Sequence, residues 1–372
     1  MSGRFAVLVV ITSQSEENNK FFRYVQFFIH AYSYNENIEV DEIALKESGG
    51  SIMDNKVDIK SPEIRIKIIG IGGAGISALE RLVEDNITNQ ELIAINTDAR
   101  SLRYAQKCGA RTIQIGKNVT NDYGTGGNPK LGEKAAREDI EVIREALRDI
   151  DIVFLTAGLG GGAGTGAMPV IAEIIKEMGI LCVCIVTMPF TFEGGKRHQT
   201  ATEGLAKIKD KVDALIVIEN DRLLTPNIVK MSLNAAFHEA DSVLRQGIKL
   251  IVDLILDFGD INTDFADIRT MLRSSSKSDA ILGIGESENG SVIEALQKTI
   301  NSPFFNHSLK GAKSIIFNVT AGESLELYAV NEAAEYLHKQ TQNEETEIFF
   351  GTVIDNEMDK KVRTMLIASD FE

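Results

Sequence analysis

Residues 158–166 read Gly-Leu-Gly-Gly-Gly-Ala-Gly-Thr-Gly, six glycines in nine positions, between apolar runs at 150–157 and 168–178. Glycine admits positive φ and a close approach of backbone to ligand, so successive N–H groups can converge on one anion. A helix that opens after such a loop adds the positive end of its dipole, and Pro169 suits an early helical position whose N–H has no partner. A flexible linker would not be bracketed by runs as apolar as IVFLTA and PVIAEIIKEM. The chemistry expected here is phosphate binding. A second cluster, Gly70-Ile-Gly72-Gly-Ala-Gly75, follows a strand pattern, opens a helix and matches G-x-G-x-x-G. With Asp98 at the end of the next strand, where a ribose-binding acid would stand, this loop alone also suits a nicotinamide dehydrogenase. A third, Gly124-Thr-Gly-Gly-Asn-Pro129, reads as another strand-to-helix loop or as an ordinary Asn-Pro turn. Neither main loop ends in Gly-Lys-Ser/Thr, which argues against a Walker-type ATPase. One pyrophosphate needs one helix N-terminus, whereas three loops suit a triphosphate.

The elements that must hold these loops are legible as alternating patterns. IRIKIIGI, ELIAIN, RTIQIG, DIVFLT, GILCVCIVT and DALIVIEN are strand candidates, with helical stretches between most of them. That repetition implies a Rossmann-like parallel sheet, whose ligands bind past the carboxyl ends of the strands. Four segments are expected. They are an N-terminal extension without sustained period at 1–60, a nucleotide-binding domain at 61–231, a central connecting helix at 232–258 and a second, smaller α/β domain at 259–372. In the last, strands at 280–284, 314–319, 347–354 and 362–368 alternate with helices at 291–300 and 324–339, and the final two strands are read as an antiparallel hairpin.

Composition limits the function. A net charge of -15 disfavours nucleic acid or an anionic membrane unless a local basic patch overrides it, and no Lys/Arg block does. The longest apolar runs are too short to cross a bilayer, so direct membrane insertion is not expected. The apolar run behind Arg4 resembles a signal peptide only faintly, without an A-x-A site. Cys182 and Cys184 lie in an apolar strand pattern and Cys108 stands apart, which points to a reducing, cytoplasmic compartment. The histidines form no ligand spacing with them, and no metal ligand is named.

Taken in order, the loops and the segments AINTDARSL, PFTFEGGKR, NDRLL, FHEADSVLRQGI and INTDFADI make the chain resemble the FtsZ branch of the tubulin/FtsZ family of polymerising GTPases, over residues 64–371. The resemblance implies GTP and GDP as ligands. Gly72, Gly73, Ala74, Gly75 and Ser77, with Gly160, Gly161, Gly162, Ala163, Gly164, Thr165 and Gly166, would hold the phosphates. Gly126, Gly127 and Asn128 would lie near the γ-phosphate, and Glu193 and Arg197 would border the ribose. Asn220, Phe237 and Asp241 would form the base pocket, with Phe237 stacked on the ring and Asp241 accepting from guanine N1 and its amino group. Without the resemblance, Phe237 and Asp241 would read as a core ring and a solvated helix acid. Asn262, Asp264 and Asp267 are the implied catalytic residues, carried on a loop that enters the nucleotide pocket of the next subunit. Such contact joins unlike faces head to tail and gives an open filament of identical copies. Mg2+ would be held by phosphate oxygens and water, and the protein is expected at the division site. The alternative within the family is a weakly hydrolysing paralogue that binds nucleotide and regulates or caps filaments.

The chain departs from the family pattern at four places. Ile76-Ser77 replaces the common Asn-Asn, Ala163 replaces the usual Thr, and residues 272–279 are longer and more polar than in relatives. Loss of one neutral hydroxyl contact is worth about 1 kcal/mol, which tunes affinity without abolishing it. Relatives usually continue into a linker and a peptide that docks membrane-anchoring partners, whereas this sequence ends at Glu372. Docking of division proteins by that peptide is therefore not expected, and the segment 1–60 is the candidate substitute or the product of a mis-assigned start.

Overall fold

Among the described residues, nine of ten strands run in one direction in a single sheet, in the order β3-β2-β1-β4-β5-β6-β7-β10-β8-β9. The computed structural model describes residues 64–84, 91–223, 232, 245, 248, 252, 265–274, 279–302, 305, 308–323, 325–343 and 345–371, all within the unit Pro62–Glu372. The first six strands are β1 (Ile66–Ile71), β2 (Glu91–Asn96), β3 (Arg111–Gln114), β4 (Ile152–Gly158), β5 (Leu181–Met188) and β6 (Ala214–Glu219). They are mutually parallel, with Ile66 opposite Ile152 and Ile152 opposite Leu181. β4 and β5 are near-continuous apolar runs because helices cover both of their faces, and every residue of β5 is buried. The thiols of Cys182 and Cys184 lie in this strand, as the pattern implied, and burial pushes both thiols up, so they stay protonated and inert.

The helices between these strands are α1 (Gly72–Glu84), α2 (Ala99–Lys107), α3 (Lys117–Thr120), α4 (Pro129–Glu138), α5 (Ile140–Ala146), α6 (Ala163–Glu177) and α7 (Gly195–Ile208). Their starts follow from local chemistry. Asp98 caps α2 by accepting from the Arg100 N–H, and Asn128 caps α4 ahead of Pro129. One core layer places α1 and α2 on one sheet face with Ile68, Leu79 and Phe154, and a second places α4 to α7 on the other with Ile69, Ile171 and Leu155. Of the expected central helix at 232–258, only Arg245, Ile248 and Val252 are described as helical, with Ile248 and Val252 buried in the first layer. Ser232 is described and is not helical, and the rest of that segment and the extension 1–60 lie outside the described residues.

Beyond α8 (Phe265–Ser274) come β7 (Asp279–Ser287), α9 (Val292–Ile300), β8 (Ala312–Ala321), α10 (Leu327–Thr341), β9 (Glu347–Ile354) and β10 (Val362–Phe371). β7 joins the first six strands through Leu215 opposite Asp279 and Ile216 opposite Ala280, so one sheet runs through both halves. Two expectations are corrected. β9 and β10 do not form a hairpin: β10 inserts antiparallel between β7 and β8, and β9 lies at the edge, parallel to β8. The reason is burial, since Met365 to Ala368 are buried as a central strand requires, whereas Ile348 to Phe350 are only half covered. Second, α6 opens at Ala163, not after the glycines, and Pro169 stands inside the helix.

Candidate nucleotide site

The three glycine loops meet one another at the carboxyl end of the sheet. α1 begins at Gly72 directly after β1, with φ +72, and a Cβ on Gly72 would lie 3.0 Å from the Gly164 nitrogen. A Cβ on Gly158 would lie 2.7 Å from that of Ala74, so the first and second loops pack backbone against backbone. The third joins them from the other side, because a Cβ on Gly162 would strike the Thr125 hydroxyl and stand 2.8 Å from the Asn128 nitrogen. It follows the short helix α3 and not a strand, which corrects the strand-to-helix reading of residues 124–129. Positive φ at Gly124, Gly126 and Gly127 marks it as more than an Asn-Pro turn. The opposite sides of the loops are open: a Cβ on Gly73, Gly126, Gly127 or Gly161 would meet nothing within 4 Å.

The early start of α6 changes what Ala163, Gly164, Thr165 and Gly166 do. They are its first turn, all buried, and its N-cap Gly162 offers no side-chain acceptor, so the first N–H groups have no cap of their own. Thr165 closes the loop from inside by accepting from the Gly160 N–H at 2.8 Å. Ala163 is the first residue of α6, 9% exposed, and its Cβ lies 3.7 Å from where one on Gly72 would sit. Ile76 points into the core, so its side chain lines no mouth, whereas Ser77 is half-buried on α1.

Two further segments border the loops. Glu193 accepts from the Phe190 N–H at 2.9 Å and pairs with Arg197 at 3.1 Å, and the Arg197 stem rests against Gly160, where a Cβ would stand 2.6 Å from its Cγ. Asp221 anchors this loop by accepting from the Thr191 N–H at 2.9 Å and from its hydroxyl. The sequence signal for Asp221 is its place beside Asn220 in NDRLL. Asn220 follows β6, is 6% exposed, and its Oδ1 has no hydrogen-bond partner among the described residues. Thr97, just past β2, and Thr156, near the end of β4, also carry buried hydroxyls without a partner among the described residues. A buried polar atom left unpaired costs on the order of 1–3 kcal/mol, so three of them at the carboxyl ends of three strands mark a place built for polar company. The only sequence signal for Thr97 is its place in AINTDARSL, and Thr156 has none beyond its strand pattern. Asp98, which the dehydrogenase reading needs free for a ribose, is engaged at the start of α2 by the Arg100 N–H at 2.9 Å and the Ser101 hydroxyl at 3.1 Å.

Phe237, Asp241, Asn262 and Asp264 lie outside the described residues, and Asp267 is described only as part of α8. Among the described residues no group of three or more His, Cys, Asp or Glu has metal-ligand spacing, and no helix is long and apolar enough to cross a membrane.

Comparison with known proteins meets this geometry at both halves. Residues 65–227 match the model of the tubulin/FtsZ family GTPase domain, and residues 278–372 that of the FtsZ family C-terminal domain. The structure of an empty FtsZ dimer from M. jannaschii is similar at 39% identity and a TM-score of 0.76, over 82% of this chain and 88% of that one. The chain belongs to the tubulin/FtsZ family. Two CetZ structures from Haloferax volcanii share the tubulin/FtsZ fold at 19% identity. CetZ2, in a GTPγS-bound protofilament, aligns over 83% of this chain and 94% of its own at a TM-score of 0.71. CetZ1, a GDP-bound monomer, aligns over 83% and 95% at 0.72. The tubulin/FtsZ GTPase match spans all three glycine loops, the Glu193–Arg197 pair and Asn220, and the break between the two family matches falls on 228–277, where the implied catalytic residues stand.

Proposed function

We propose that the chain is a polymerising GTPase of the FtsZ kind, which binds GTP across the three glycine loops and hydrolyses it where one copy meets the next in a head-to-tail filament serving cell division. The observation that carries this reading is the packing of the loops. Each is held from behind by another, while Gly73, Gly126, Gly127 and Gly161 face open space, so a run of phosphates can follow the backbone N–H groups without meeting a side chain. The uncapped first turn of α6 faces the same loops. The unpartnered Asn220 Oδ1 suits a nucleoside group arriving at the end of β6.

In this reading Glu193 and Arg197 border the ribose, Phe237 stacks on the base and Asp241 selects guanine, whose two donors match a carboxylate. Mg2+ accompanies the nucleotide on phosphate oxygens and water. Asn262, Asp264 and Asp267 complete the site of the neighbouring copy by orienting the attacking water. The 39% identity to an FtsZ supports division over the roles of more distant relatives.

The test is GTP turnover measured against protein concentration, with filaments followed by electron microscopy. Specific activity is expected to rise above a threshold concentration. Asp264→Ala is expected to cut turnover by roughly 100-fold or more while GTP binding persists. Concentration-independent turnover overturns the shared site, and GTP binding without filaments points to the capping paralogue.

A further inference from the structure

The described surface carries a cationic helix face and an anionic helix face near opposite edges of the sheet. α2 presents Arg100, Arg103 and Lys107 to solvent with the exposed Tyr104 between them, and it contains no acid. In a chain with 54 acids against 39 bases, that is a local reversal of sign. The carboxylates around it are already engaged: Asp98 caps the helix, Glu91 holds Lys67 and Arg111, and Asp122 holds Gln114. Among the described residues Arg103 and Lys107 meet no carboxylate.

α10 is the counterpart. Its exposed residues include Leu327, Tyr328, Glu332 and Glu335, with Glu326 at its N-cap, and its first basic residue is His338 in the last turn. Arg100 to Lys107 and Tyr328 to Glu335 each span seven helical steps, about 10 Å. α2 packs on the face covered by the first core layer, next to β2 and β3, and α10 packs on the opposite face, next to β8 and β9. The two faces therefore cannot meet within one copy, but they can meet between two.

We propose that α2 of one copy docks against α10 of a second, with Arg103 and Lys107 opposite Glu332 and Glu335 and the two tyrosines packed beside them. The contact lies at the edges of the sheet and not at the carboxyl ends of its strands, so it is sideways to the nucleotide loops and goes beyond the lengthwise filament proposed above. It joins unlike faces and does not close on itself. Exposed ion pairs are individually weak and screened by salt, so the contact is weak between monomers, where a covalent cross-linker can still trap it, and becomes strong when filaments align many copies at once.

The experiment sediments the full chain with GTP and Mg2+ at high speed, which collects single filaments, and at low speed, which collects bundles. R103E/K107E and E332K/E335K are each expected to keep the high-speed pellet and lose roughly tenfold of the low-speed one, and the chain carrying all four substitutions is expected to recover it. Unchanged bundling in either double variant, or no recovery in the fourfold one, overturns the proposal. If even the parent chain gives no high-speed pellet, the lengthwise reading fails while the sideways one is still read by cross-linking. In a Cys108→Ser background, Tyr104→Cys and Tyr328→Cys proteins mixed with a bismaleimide give a dimer that neither gives alone, and its absence overturns the proposal. Phosphatidylglycerol vesicles are the remaining arm. Loss of vesicle binding in R103E/K107E with bundling retained assigns the face to an anionic surface and overturns contact between copies.

Discussion

Two turns at the same end of the same sheet show how the chain separates structure from chemistry. After β7, Asn289 accepts from the Ser291 N–H at 3.1 Å, and Ser291 caps α9 by accepting from the Glu294 N–H at 3.2 Å. The helix there consumes its own polar ends. After β4, Gly162 gives α6 no side-chain cap, glycines leave the backbone bare on one side, and Thr165 closes the loop from within. Both turns join a strand to a helix whose N-terminus carries the same partial positive charge. What differs is whether a side chain already occupies that charge, and the family GTPase match covers only the uncapped turn. A helix start becomes a binding element when the sequence withholds its cap.

That contrast breaks most severely at Gly166. A Cβ there would strike the Pro129 carbonyl oxygen and stand 2.8 Å from the Glu133 nitrogen, so α4 could not keep its seat on α6. Gly166→Ala is expected to cost about 3 kcal/mol by overpacking, read as a lower midpoint in urea. Gly161 is the control from the same loop, since nothing lies within 4 Å of its Cβ position and its φ is not positive. Gly161→Ala is expected to change stability by less than about 0.5 kcal/mol and to show its effect in GTP affinity. Equal losses in both variants would mean that the loop is not divided into a packed and an open side.

At the capped turn the expectation reverses. Ser291→Ala removes the acceptor of the Glu294 N–H and is expected to cost about 1 kcal/mol, with GTP binding unchanged. A nucleotide effect from this variant would show that the two turns are not functionally separate.

The parallel half of the fold and the order of its loops were legible because buried parallel strands read as unbroken apolar runs and glycine clusters stand out against them. The position of β10 differs from the hairpin pattern for a local reason. The segment DNEMDKK is short enough for a hairpin, yet the apolar run Met365 to Ala368 belongs in the middle of a sheet, and that burial signal outranks loop length. The sequence pattern starts α6 late because glycine is a poor helix former. Four residues of its first turn, two of them glycine, are nonetheless helical under the packing of α4, α1 and α7. That the hydroxyls of Thr97 and Thr156 stand unpartnered is illegible in principle, since it is a property of their surroundings and not of their letter.

The amino ends of the parallel strands extend the comparison and carry the smallest expected effect. Opposite the glycine loops, the sheet is stitched by side chains. The Arg65 backbone N–H donates to Asp151 at 2.9 Å and its guanidinium at 3.2 Å, and Lys67 and Arg111 share Glu91. Burial alone would raise the Asp151 carboxyl, but the hydrogen bonds and charge of Arg65 outweigh it and hold the group below its ordinary range. A carboxyl depressed in the folded chain contributes stability that is fully present above its unfolded value, about pH 4, and is lost as the pH falls through the lower folded value. Asp151→Asn keeps an oxygen for the Arg65 backbone and removes only the charge, and the pair is partly exposed, so screening keeps the loss small. The variant is therefore expected to fall slightly below the parent at pH 7 and to converge with it on acidification, read as urea midpoints across the range. A gap that widens on acidification would mean that Asp151 is held protonated in the folded chain and that this end of the sheet is not an electrostatic seam.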